Sequence, residues 1–263
     1  MFPWYDSLWL RQYVLAKAYL SEARPRRLSE FVSALAPLRT RPDFQVQHVA
    51  RALDEEVLSE VKTLIRSLKL AQLEMNEARR FGRFVVRDNP NLTRLQETKT
   101  TLVSDLAGEP VAPSYNFLSM YTALGRCPLH MDAPDAKWTL DICIDQSEPW
   151  DIHLSQVVPW PESLTDQDEA WSENIRTDPG HVFTSHALKP GEALVFSGSS
   201  QWHYRDPLPH VPRGGGFAHL VFFHFIPQGL GEVVDPRNWA RIFDVPELAR
   251  IVERRDGRET SKV

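Results

Sequence analysis

From Ser114 onward the chain consists of short apolar runs that proline and glycine bring to an end. Residues 115–122, 138–144, 193–196 and 217–226 are rich in aromatic or β-branched side chains, the composition of strands. Lys189-Pro190-Gly191 is a turn that feeds directly into Ala193-Leu194-Val195-Phe196. Strands without intervening helices find partners far off in sequence, which points to packed sheets and away from a strict alternation of strand and helix. Before this region the pattern is helical. Up to about residue 80, Tyr5, Leu8, Leu10, Tyr13, Val14, Leu15, Ala16 and Leu20 recur at helical spacing. Asp54 is placed to cap a second helix whose apolar stripe is Val57, Val61, Ile65 and Leu68. Phe84-Val85-Val86, just past Gly82, reads as a short strand. Residues 238–255 read as one or two helices, with Trp239, Ile242, Phe243, Leu248 and Ile251 available to pack back on the sheet. The expected architecture is mainly β with flanking helices, a jelly roll in one domain over residues 1–263. Helical support occupies 1–80, the jelly-roll core 81–227 and a helical segment 228–263. Residues 146–186 hold Trp150, Trp160, Trp171 and several acids, among them Asp166, Asp168, Glu169 and Glu173, with weak periodicity; they are expected to form a long insert that covers a site.

Composition narrows the class. The net charge of -5 lacks the basic footprint of a nucleic-acid binder. Two cysteines, Cys127 and Cys143, make neither a disulfide framework nor a cysteine-based zinc site, and their scarcity fits a reducing cytoplasm. Asp6, Arg11 and Lys17 interrupt the apolar start, unlike a secretory signal, and no uncharged run reaches the roughly 18 residues that span a bilayer. A cytoplasmic protein with no nucleic-acid or membrane partner is expected; its oligomeric state is left open.

The chemistry sits in His130-Met131-Asp132. In an extended segment, residues i and i+2 point to the same face, so an imidazole and a carboxylate converge on one point. That is two thirds of a facial triad of two histidines and one carboxylate, the ligand set of non-haem iron(II) oxygenases. The third ligand comes from elsewhere, and His203 is the best placed. It follows the strand 193–196 and a Ser-Gly-Ser-Ser bend, and Trp202 and Tyr204 flank it, pointing the other way into packing. His153, His181, His186, His210 and His224 read as structural or covering residues.

In order and context these features resemble the 2-oxoglutarate- and iron(II)-dependent oxygenases, in particular the prolyl-4-hydroxylase-like branch. The likeness runs over about residues 46–227. It includes a helix over 48–68, Tyr121, Pro128-Leu129-His130-Met131-Asp132, the strand 139–144, Leu188-Lys189-Pro190-Gly191-Glu192-Ala193-Leu194-Val195-Phe196, His203, and the strand 217–225. It implies a cupin-like double-stranded β-helix that holds Fe(II) through His130, Asp132 and His203, with 2-oxoglutarate as co-substrate and dioxygen as oxidant. It further implies release of succinate and CO2 and hydroxylation of a C–H bond in a small molecule or amino acid. A carboxylate at Asp132, where related halogenases have a small residue, favours hydroxylation, desaturation or ring closure over halogenation. The family also implies a basic residue for the far carboxylate of 2-oxoglutarate. Arg213 has the spacing for it, His219 comes next, and Arg126 and Lys137 are substitutes; Tyr121 matches a tyrosine that donates to the same carboxylate.

Two other readings stay open on the same barrel: a metal-dependent cupin enzyme that does not use 2-oxoglutarate, and a non-catalytic binding module. No Gly-x-Ser-x-Gly elbow, phosphate loop or dinucleotide fingerprint occurs.

Overall fold

The computed structural model describes residues 7–162, 170–211 and 215–253. Its strands are β1 Gln47–Val49, β2 Arg83–Arg87, β3 Val111–Tyr121, β4 Cys127–His130, β5 Trp138–Gln146, β6 Ile152–Val157, β7 Phe183–His186, β8 Ala193–Phe196, β9 Gln201–Arg205 and β10 Ala218–Pro227. They form a six-stranded sheet in the order β1-β8-β5-β10-β3-β2 and a four-stranded sheet in the order β4-β9-β6-β7. Every pairing is antiparallel. From β3 to β10 the chain passes repeatedly from one sheet to the other, which is the winding of a double-stranded β-helix.

The alternation of side chains along the strands sorts three cores. Between the sheets lie Tyr121, Cys143, Trp150, Leu154, Leu194, Phe196 and Leu220. On the outer face of the six-stranded sheet, Leu118, Leu140, Ile142, Val221 and Phe223 pack against three helices, α3 Glu55–Ser67, α4 Pro90–Thr98 and α5 Thr100–Ala107. Two helices that precede these, α1 Ser7–Ala23 and α2 Pro25–Leu35, gather Trp9, Tyr13 and Phe31 on the outer face of the four-stranded sheet. Asp54 does cap α3, accepting a hydrogen bond from the Val57 amide at 2.9 Å. No helix of the described residues is long and apolar enough to cross a membrane.

Four expectations change. The segment 146–186 is not one insert, because β6 and β7 within it are strands of the four-stranded sheet, joined by a stretch that contains helix α6 Trp171–Thr177. Glu173 lies on α6, whereas Asp166, Asp168 and Glu169 fall outside the described residues, as does Tyr5. The helix expected over 48–68 begins only at Glu55, since His48 belongs to β1, which pairs with β8. Helices α4 and α5 stand where no element was expected. The terminal helices α7 Trp239–Ile242 and α8 Leu248–Glu253 do pack inward, but with α1 and α2: Trp239 lies edge-on to Trp9 and Phe31 at 5.6 and 5.0 Å.

Candidate metal centre

β4 and β9 pair so that His130 stands opposite His203, with ring centroids 4.1 Å apart. The chain then turns out of β4, and the amide of Asp132 donates to the Gly198 carbonyl at 2.8 Å, which ties the carboxylate to the bend between β8 and β9. Asp132 thereby reaches both rings: His130 Nε2 lies 3.6 Å from Oδ1 and His203 Nε2 lies 3.7 Å from Oδ2. One ligand atom from each residue falls within 4.8 Å of the others, and no other such cluster occurs among the described residues.

The orientation of the imidazoles is set locally. His130 Nδ1 donates to the Pro128 carbonyl at 2.8 Å, and His203 Nδ1 donates to the Gln201 carbonyl at 3.0 Å. A carbonyl only accepts, so each Nδ1 carries a hydrogen and Nε2 is the nitrogen that faces the centre. Burial, with the His130 ring beside it, holds His203 well below its ordinary pKa and therefore neutral. For His130, desolvation pulls downward, but Cys127 and Asp132 outweigh it and lift the ring to about 9, so a metal ion entering the site displaces a proton. Access is one-sided. The His203 side chain is 6% exposed, against 36% for His130 and 21% for Asp132.

The residues between the ligands face away. Leu129, Met131 and Trp202 are buried in the core built by α1, α2 and the terminal helices, as expected for Trp202. Gly198 makes the approach of Asp132 possible. A Cβ there lies 2.5 Å from Asp132 Oδ2, 2.6 Å from the Ala136 carbonyl and 2.7 Å from Thr139 Oγ1. Backbone and short side chains cannot swing aside, so Gly198→Ala is expected to displace the carboxylate and lower metal affinity roughly 10–100-fold, read by metal titration.

The basic residues named from sequence are scattered. Arg213 lies outside the described residues. His219 pairs in register with Met120, which faces the helices, and it sits near Lys62 and Asp145 on that side. Arg126 is exposed and donates to the Arg80 carbonyl at 2.8 Å. Lys137 is buried against Pro37 and Glu109, outside the barrel. Tyr121 alone points between the sheets, where its hydroxyl accepts from Arg83 Nη1 at 2.8 Å.

Two guanidiniums that sequence reasoning missed lie inside. Arg205, two positions past His203 and on the same face, donates to Asp141 Oδ2 at 2.6 Å and to the Trp150 carbonyl. Arg83 stands opposite Tyr121 in the β2–β3 register and also pairs with Glu77. Burial raises the Asp141 pKa, and Arg205 opposes that rise. His224 is also closer to the chemistry than expected. It is buried, and its Nδ1 lies 3.1 Å from Thr139 Oγ1.

No protein-family model and no curated protein sequence matches the chain. Solved structures do. HygX from Streptomyces hygroscopicus, with nickel and 2-oxoglutarate bound, superposes with a TM-score of 0.51 and 10% identity, over 76% of this chain and 87% of its own. The non-heme alpha ketoglutarate dependent epimerase SnoN from nogalamycin biosynthesis superposes with a TM-score of 0.50 and 15% identity, over 80% and 87%. At such identities the likeness is one of architecture: the chain has the double-stranded β-helix fold of HygX and SnoN.

Proposed function

We propose that this chain is a 2-oxoglutarate-dependent non-haem iron(II) dioxygenase that hydroxylates a small molecule. The observation that carries the reading is the triad itself: two imidazole Nε2 atoms and one carboxylate converge, oriented by backbone carbonyls and open on one side. Two nitrogens and one oxygen are a donor set that suits iron(II). Iron bound there supplies the activation of dioxygen, coupled to oxidative decarboxylation of 2-oxoglutarate. That HygX is described with nickel and 2-oxoglutarate bound supports the same co-substrate here. The two cysteines, with no disulfide between them, suit a reducing cytoplasm.

The far carboxylate of 2-oxoglutarate is assigned to Arg83 and Tyr121. Burial raises the Tyr121 pKa, although Arg83 opposes it, so the phenol keeps its proton. Because its oxygen already accepts from Arg83, the hydroxyl hydrogen is left to donate to a carboxylate beside the guanidinium. Arg205 is the weaker candidate, since among the described residues the buried carboxylate of Asp141 pairs with it alone, whereas Glu77, the partner of Arg83, is shared with Arg87. Asp132 holds the position that a halide needs, which favours hydroxylation.

The test is succinate formation from 2-oxoglutarate with iron(II) across a metabolite panel. Arg83→Gln is expected to raise the KM for 2-oxoglutarate about 10–100-fold, the equivalent of about 1.5–3 kcal/mol for a hydrogen bond to a charged group. Absence of both succinate and 2-oxoglutarate binding in the metal-loaded wild type rejects the reading.

A further inference from the structure

The pairing of β6 with β9 shifts register beside the triad. Leu154 stands opposite His203, but the next pair in register is Val157 with Gln201, so two residues of β6 face Trp202 alone. A shift of this kind, as at a β-bulge, takes ladder groups away from their backbone partners, and buried ones need another. Here two side chains supply it. Ser155 Oγ accepts from the Trp202 amide at 2.9 Å, and Gln201 Nε2 donates to the Ser155 carbonyl at 2.6 Å. Both residues are buried, Gln201 at 1% exposure and Ser155 at 2%.

The Gln201 side chain is engaged at its other end as well. Its Oε1 accepts from the Ser197 amide at 2.9 Å, where the bend between β8 and β9 begins. That bend is pinned carbonyl by carbonyl. Gly198 accepts from the Asp132 amide at 2.8 Å, Ser199 from Trp160 Nε1 at 3.3 Å and Ser200 from the Val158 amide at 2.7 Å. A hydroxyl pair, Thr40 with Ser197 at 2.7 Å, ties it to the segment before β1. Gln201 therefore meets the triad twice. Its side chain fixes the bend that carries Asp132, and its main-chain carbonyl accepts from His203 Nδ1 at 3.0 Å. A regular ladder would satisfy Ser155 and Trp202 without any side chain; the shifted one places a glutamine between the supports of two metal ligands.

We infer that Gln201 is a positioning residue of the metal centre: by spanning Ser155 and Ser197 it sets the separation of the His203 ring and the Asp132 carboxylate. The inference rests on the metal-centre part of the dioxygenase reading and not on the co-substrate. The probe is zinc(II), titrated into the full chain. Gln201→Met keeps an unbranched side chain of similar length and removes both hydrogen bonds. Zinc affinity is expected to fall about 10–100-fold, the loss typical of a group that orients a ligand. A matched control separates positioning from stability. Gln96 is also 1% exposed, and its Nε2 donates to the carbonyls of Tyr115 at 3.0 Å and His224 at 2.7 Å. Gln96→Met is expected to lower the unfolding temperature as Gln201→Met does, yet to leave zinc affinity unchanged. A further readout requires no variant to fold. Zinc is expected to slow amide exchange at Ser197 and Asp132 together in the wild type, because both amides belong to the frame that opens to release the metal. Wild-type zinc affinity in Gln201→Met overturns the role, and so does an equal loss in Gln96→Met or exchange at Ser197 that zinc leaves unaltered. A wild type that takes up no zinc overturns the dioxygenase reading along with it, whereas uptake that Gln201→Met leaves intact strikes the positioning role alone.

Discussion

Replacing His203 with alanine is expected to abolish stoichiometric iron(II) binding and, with it, succinate formation. The centre has three protein ligands, and His203 is the one that belongs to an interior strand of the four-stranded sheet. Loss of a group that merely orients a ligand already weakens metal binding 10–100-fold, so loss of a ligand exceeds that. The fold should persist, because the ring is neutral and forms no ion pair that the variant leaves unmatched. Metal analysis reads the first effect. A second readout is thermal: iron(II) or nickel(II) should raise the unfolding temperature of the wild type by mass action and leave the variant unmoved. A variant that still binds one equivalent of metal at wild-type affinity refutes the assignment of the third ligand.

Arg205→Leu is expected to have the largest effect on stability, a loss of about 3–5 kcal/mol, because it leaves the Asp141 carboxylate buried without its counter-charge. The Arg205 side chain is 3% exposed and that of Asp141 0%, so water cannot take over the role. The double variant Arg205→Leu, Asp141→Leu removes both charges and should recover most of the loss. The sign of the pH dependence follows from the raised Asp141 pKa. A carboxyl whose folded pKa exceeds its unfolded value favours the fold when protonated, so the penalty in the single variant should shrink as pH falls through the acid range. Denaturation midpoints at neutral and acid pH measure both effects. A single variant as stable as wild type at neutral pH shows that the pair is not what neutralises the barrel interior.

The triad was legible because it depends on two-residue alternation, the most reliable periodicity a strand has. His130 and Asp132 declare themselves that way, and His203 follows from its place after a clear strand. Arg205 obeys the same rule, two positions past His203, yet a charged residue in a strand reads as facing solvent, and only closure of the barrel turns that face inward. Arg83 was hidden for a different reason. Its partnership with Tyr121 is a matter of register between β2 and β3, which no spacing along the chain encodes. The strands β6 and β7 escaped notice because Phe183-Thr184-Ser185-His186 is a polar edge strand and acids and prolines crowd the stretch between them. Helices α4 and α5 did leave punctuation, in Asn89-Pro90 at one end and Gly108 at the other, with Asn89 capping the Asn91 amide at 3.0 Å.

The burial of Leu129, Met131 and Trp202 beneath the helices has a mechanical consequence. Each metal ligand alternates with a neighbour clamped by a layer that is not part of the barrel. The histidines and the aspartate are therefore held from behind, like keys on a board whose levers run under the case. Pressure on α1, or a substitution that lets Trp9 or Trp239 settle differently, reaches the triad through one peptide unit and needs no path through the space between the sheets.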